Sequence, residues 1–276
     1  MRTTLNQEEI AKFAQEVKYA LIAVMEDEGY PHVNLFSSLE AKSDHELMFG
    51  KTYYGQSKVL MQEKKKCAFI LASLTKEYWR GRLDFTGSAA NGDDMQYYNE
   101  KPKNRYNAYY PVNEIFYFNL LDVDHGPIDF ATYIGAAHKA AAVAANYVGQ
   151  SGETPLVPLT LEIVQRQDCI KFLAYEGEDG YPRFIPMLHA IPVGPDRFIF
   201  AGEPHGEDIG AIPQGAKVTL HCISMFTMEA IQFRGLFQGL QDGIGVLDIK
   251  QVVNPMPSRP GIIYPRKKFE PVTEFE

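Results

Sequence analysis

The chain has 276 residues, 45% of them hydrophobic and 22% charged, which suits a globular protein of two domains of roughly 100–150 residues each. A net charge of −8 and a pI near 5.4 disfavour nucleic acid or an anionic membrane as the main partner, and the basic run Arg266-Lys267-Lys268 reads as a solvated tail. No stretch reaches the ~20 apolar residues of a membrane span. The opening MRTTLNQEE lacks the apolar core of a signal peptide, and Cys67, Cys169 and Cys222 stand in no CxxC spacing, so free buried thiols and a cytoplasmic location are expected.

Asn6 stands three residues before Glu9, the spacing of a capping box, and Ile10, Phe13, Ala14 and Val17 follow at helical spacing. A strand over 20–25, a Glu-Asp-Glu-Gly turn and a strand over 32–39 predict a hairpin. A third strand is expected at 47–49, then a short helix over 58–65 with Val59 and Leu60 inward, and a doubly buried strand over 67–74. Residues 79–88 read as a fifth strand and 93–99 as a helix opened by Asp93-Asp94. The tyrosines that follow (Tyr97, Tyr98, Tyr106, Tyr109, Tyr110) fit either a packed helix or an aromatic lid. A sixth strand over 114–123, an alanine-rich helix over 130–148 and a polar linker at 149–155 complete the first half. Residues 156–168 fit helix and strand equally.

The second half repeats the first. Gly29-Tyr30-Pro31 recurs as Gly180-Tyr181-Pro182, and the same shift of 151 aligns Phe49 with Phe200, Lys66 with Lys217 and Ser73 with Ser224. One added residue then aligns Arg82 with Arg234, Phe85 with Phe237 and Gly87 with Gly239. The expectation is a mainly β protein of two tandem barrels with peripheral helices, because closure removes the exposed edges that open sheets leave. The divisions expected are 1–125, a helix and linker over 126–155, and 156–276.

The segment LMFGKTYYGQSKVLMQ, starting at Leu47, carries the chemistry. A strand ends at Phe49, Gly50 removes side-chain bulk, and Lys51, Thr52, Ser57 and Lys58 follow around a turn that opens a helix. Helix-start N–H groups, hydroxyls and ammonium groups form an anion site, and a phosphate ester is the ligand to expect. The seven histidines show no metal-ligand spacing. No dinucleotide fingerprint, Walker loop or GxSxG elbow is present.

The Gly-Tyr-Pro hairpin, FGKTYYGQSK before a short helix, and the later WRGRLDFTG together resemble the FMN-binding split barrels of the pyridoxamine 5′-phosphate oxidase-like superfamily. The likeness covers about 7–123, and its repeat about 158–250. It implies that His32, Asn34 and Phe36 lie along the flavin ring or ribityl chain. It implies that Gly50, Lys51 and Thr52 approach the phosphate and that Ser57 and Lys58 complete the cradle. His32 departs from the arginine of the oxidases themselves. In the second copy Asp208-Ile209 replaces Ser57-Lys58, with Glu203 and Glu207 close by. Carboxylates repel phosphate, so that copy is expected to be structural, with Gln232 and Arg234 on an edge strand as candidates to wall the flavin. Arg80 or Arg82 of a second chain would do so in a homodimer, the alternative to an intrachain pseudo-dimer.

The resemblance thus implies an FMN-dependent oxidoreductase acting on a small molecule, with a nicotinamide as a plausible electron donor and no side chain assigned as acid or base. Three alternatives stay open: a haem-binding split barrel recruiting His189, His205 or His221, a deazaflavin-dependent reductase, and a flavin-binding module without turnover.

Overall fold

A computed structural model of the chain describes residues 2–52, 55–107, 109–149, 152, 154–256 and 260–265; the basic run at 266–268 lies outside them. The chain divides into two compact units, Met1–Phe130 with Ala174–Phe184, and Ala131–Leu173 with Ile185–Glu276.

The first unit opens with α1 (Gln7–Phe13), whose capping box forms as the Asn6/Glu9 spacing predicts: Asn6 Oδ1 accepts from the Glu9 N–H and the Glu9 carboxylate accepts from the Asn6 N–H, both at 2.9 Å. Then come β1 (Lys18–Met25), β2 (Pro31–Leu35), β3 (Glu40–Ala41), β4 (Glu46–Lys51), α2 (Gln56–Lys64), β5 (Lys66–Ser73), β6 (Glu77–Ala89), α3 (Asp93–Glu100) and β7 (Glu114–Pro127). The strands hydrogen-bond in the order β2-β1-β5-β6-β7-β4-β3, every pair antiparallel.

Laid flat, the edge strands β2 and β3 would stand about 29 Å apart at ~4.8 Å per strand. Yet β2 ends at Leu35 and β3 begins at Glu40, a connection that spans at most about 18 Å. The sheet must therefore close on itself. Phe36, just past β2, and Phe49, on β4, meet inside with ring centroids 4.5 Å apart, and Phe116 stacks on Phe49 at 5.0 Å. Ile22, Val24, Leu47 and Phe69 line the same core, joined by Phe13 of α1 and Leu60 and Met61 of α2. Each large apolar side chain so buried contributes about 1.5–3 kcal/mol.

The second unit contains α4 (Phe130–Val143, its first residue in the other unit), a 3-10 turn at Ala144–Tyr147 and α5 (Pro158–Gln165). The second sheet runs through β8 (Cys169–Glu176) and β9 (Pro182–Pro186), whose hairpin end Ala174–Phe184 is counted with the first unit, then β10 (Ile191–Val193), β11 (Arg197–Ala201), α6 (Gly206–Gly210), β12 (Lys217–Ser224), β13 (Ala230–Gln241), β14 (Ile244–Asn254) and β15 (Gly261–Tyr264). The order is β9-β8-β12-β13-β14-β11-β10, with β15 added to β14. Strand for strand this is the first sheet again, and the same four-residue connection joins its edges, from Pro186 to Ile191. Even the irregularities recur. The β6–β7 register breaks between Arg82 and Leu83, and the β13–β14 register between Arg234 and Gly235, positions that the sequence alignment equates. The protein is two tandem split β-barrels.

Several expectations are corrected. β2 stops at Leu35, and the short β3 and β10 have too few residues to show period-two patterning. On α2 the buried apolar pair is Leu60 and Met61, with Val59 half-buried. Residues 158–165 are helical, with Pro158 in the first turn, where its missing N–H costs nothing. Gln232 and Arg234 do not lie on an edge strand: β13 runs between β12 and β14. Gln232 is 2% exposed, its Nε2 3.1 Å from His221 Nδ1.

Candidate functional site

His32 and Asn34 sit two apart on the edge strand β2, opposite Val24 and Ile22, so they face the barrel interior at the end that α2 covers. Ser57 and Lys58 stand in the first turn of α2, whose N-cap Gly55 has extended backbone and no side-chain cap. His32, Asn34 and Ser57 converge, and Lys58 follows Ser57 in the same turn. His32 Nε2 lies 2.9 Å from Ser57 Oγ, Asn34 Nδ2 lies 2.9 Å from His32 Nε2 and also donates to Ser57 Oγ, and His32 Nδ1 is 2.7 Å from Glu26 Oε1. Ser57 is 2% exposed and Lys58 7%. Nothing in the sequence pattern singles out Glu26; it lies at the turn after β1 and reaches His32 only once the hairpin forms.

The Lys58 ammonium lies 4.9 Å over the ring of Phe36. Burial, with repulsion from Lys51, lowers its pKa to about 8. An anion beside it would relieve that cost.

The other expected site residues are engaged in the fold. Lys51 is bonded to Glu114 of the neighbouring β7, and Ser88 Oγ donates to the same carboxylate at 2.5 Å. Burial alone would raise the Glu114 pKa, but these two donors hold it below the usual carboxylate value. A β-carbon on Gly50 would meet Val112 and Tyr98, so its missing side chain serves packing of α3 and the segment before β7. Phe36 is a core residue, 5% exposed. Thr52 is half-buried, and its carbonyl accepts from Asn113 Nδ2 at 3.5 Å.

In the second unit the matching helix α6 is one turn long. Ile209, at the place of Lys58, is fully buried, and Asp208, at the place of Ser57, lies 3.7 Å from His205 Nδ1. An isoleucine packed inward and a carboxylate in the first turn leave no counterpart of the cluster.

The tyrosine segment divides. Tyr98 is buried and donates to the Ser38 and Met48 carbonyls at 2.8 and 3.1 Å, whereas Tyr106, Tyr109 and Tyr110 are exposed. Arg82 is held by Asp122 and by Asp179 (2.6 Å), and Arg80 by Asp124 (3.0 Å). A cavity of about 520 Å³ in the first unit, lined by Arg2, Glu9, Lys12, Glu77 and His125 among others, contains none of the cluster residues. Among the described residues no group of three or more His, Cys, Asp or Glu is placed to hold a metal ion, and no helix is long and apolar enough to cross a membrane.

Fold and site together define a tandem split-barrel protein whose first barrel carries a histidine–asparagine–serine cluster beside a buried lysine, a set that the matching helix of the second barrel does not repeat among the described residues. The sequence matches no protein-family model and no curated protein. Among solved structures it is similar to an FMN-binding protein of Syntrophomonas wolfei (11% identity, 43% of this chain and 86% of that one, TM-score 0.36). It is also similar to a pyridoxamine 5′-phosphate oxidase-related, FMN-binding protein of Nostoc punctiforme (12%, 61% and 85%, TM-score 0.28) and to HupZ of Group A Streptococcus (12%, 43% and 91%, TM-score 0.36). These likenesses are distant, and the split-barrel topology stands on the strand order and closure described above.

Proposed function

We propose that the first barrel binds FMN by its phosphate and that the protein is an FMN-dependent oxidoreductase acting on a small molecule, with a nicotinamide as candidate electron donor. The observation that carries this reading is the convergence of His32 and Asn34 on Ser57 in the first turn of α2, with the buried Lys58 next in the same turn, against the replacement of Ser57 and Lys58 by Asp208 and Ile209 in the duplicate. Three hydrogen-bonding side chains and a buried ammonium at a helix start form the donor set that a phosphate ester takes. Lys51, Gly50 and Thr52 flank that set on β4 and beyond. When bound, the flavin would accept or donate a hydride, and the protein's part is to bind, orient and exclude water.

The test is the colour and the released chromophore of the purified protein. A flavin spectrum with FMN released on denaturation supports the reading. A Soret band, or FMN held equally by wild type and Lys58→Glu, overturns it. Ser57→Ala, a smaller change, serves as the second variant should Lys58→Glu unfold, as judged by circular dichroism.

A further inference from the structure

The atoms around His32 accommodate one arrangement of protons in the ligand-free site. Its Nδ1 faces the Glu26 carboxylate at 2.7 Å, which can only accept, so Nδ1 carries a proton. Its Nε2 faces the Asn34 amide nitrogen at 2.9 Å and the Ser57 hydroxyl at 2.9 Å. As an N–H, Nε2 would have the Ser57 oxygen as acceptor but the Asn34 donor against it; as a bare nitrogen it accepts from both, and this neutral arrangement is the starting point taken for the ligand-free site. In this state the cluster satisfies itself and offers an incoming phosphate an acceptor where a donor is required.

We infer, resting on the phosphate-cradle reading above, that Glu26 and His32 make the site take up a proton when it takes a phosphate monoester dianion. His32 then presents Nε2–H to the phosphate, Ser57 and Asn34 turn their donors to it, and Glu26 holds the imidazolium. Glu26 is thus a positioning residue that acts through His32. The charged groups around His32 are few. β1 places Val24 and Ile22 opposite His32 and Asn34. The turn supplies Glu26, while its Asp27 is bonded to Lys64 of α2 and its Glu28 is exposed. α2 supplies Lys58, its Glu63 and Lys64 lying at the far end, and Lys51 on β4 is paired with Glu114.

Calorimetric titration of the flavin-free protein with FMN and with riboflavin, at pH 7 in two buffers of different ionisation enthalpy, tests this. A phosphate monoester with a second pKa near 6 is mostly dianion at pH 7, and Lys58, at about 8, is already about nine-tenths charged and takes up only ~0.1 proton. The expected result is net proton uptake on binding FMN, larger than the share of Lys58, and none on binding riboflavin, with FMN affinity falling as pH rises. His32→Gln should reduce the uptake to the small share of Lys58. Glu26→Gln should weaken FMN at least about tenfold and leave riboflavin unchanged. FMN binding tighter than riboflavin but with no buffer-dependent heat overturns the proton coupling and leaves the cradle standing. FMN held no more tightly than riboflavin overturns both. The wild-type measurement decides even if a variant fails to fold.

Discussion

Val112 occupies the space that a side chain at Gly50 would need: a β-carbon there would stand 2.9 Å from Val112 Cγ1 and 3.2 Å from Tyr98 Cγ. Gly50→Ala should therefore overpack this junction at a cost of about 1–3 kcal/mol, read as a lower urea midpoint. Val112→Ala in the same chain should recover part of the loss. Unchanged stability with lost flavin affinity would show instead that Gly50 serves the ligand.

Lys58 gives a pH signature of its own. Its folded pKa is about 8 against ~10.4 unfolded, so between these values the unfolded chain binds more protons. Stability therefore rises with pH from about 8 to about 10.5. Lys18, lowered to about 8 mainly by burial, acts in the same direction. Lys58→Met should flatten the alkaline rise by roughly half and raise the ligand-free urea midpoint at pH 7, while weakening FMN binding. A lower midpoint at pH 7 would contradict the uncompensated cost of that ammonium.

Glu9 behaves oppositely. Burial alone would raise its pKa, but the bonds from Arg2 (2.6 and 3.0 Å), the Asn6 N–H and the Trp79 indole N–H (3.0 Å) bring it down to about 2. Its contribution is present above the unfolded carboxylate value of ~4.3 and is lost as pH falls toward 2. Glu9→Gln should cost about 1–3 kcal/mol at pH 7 and shrink the acid limb of the stability profile. An identical acid limb in wild type and variant would remove Glu9 from that role.

The thiols should differ in reactivity. Cys67 is buried and its pKa is pushed up by desolvation, and the same cause raises Cys222. Cys169 is lowered, first by a hydrogen bond from the Cys222 thiol, with help from the Lys171 charge. Because the thiolate is the nucleophile, iodoacetamide mapping of the native protein should label Cys169 first and leave Cys67 unlabelled until unfolding. Early labelling of Cys67 would show that its strand opens.

The parts legible in the sequence are those governed by neighbours in the chain. The Asn6 cap, the Gly-Tyr-Pro hairpins, the buried β5 and the register of the repeat all emerge from spacing or alignment, since capping and alternation act within a few residues. The cluster itself was half legible: Ser57 and Lys58 come from the helix-start pattern, and His32 and Asn34 from the resemblance. Lys51 reads like a phosphate ligand in one dimension, but β4 lies beside β7 and its partner is Glu114, 63 positions away. Gln232 reads like a wall residue until β14 is found on its far side.

The sequence by itself determined the duplication, the β character of each half and the replacement of the serine–lysine pair in the second copy, because these depend on residue identity and local period. Only the tertiary structure decided that each sheet closes, that Gly50 makes way for Val112, and that Glu26 stands behind His32. Closure and pairing join residues far apart along the chain, and the free energy that selects them comes from packing and hydrogen bonds that no local pattern contains.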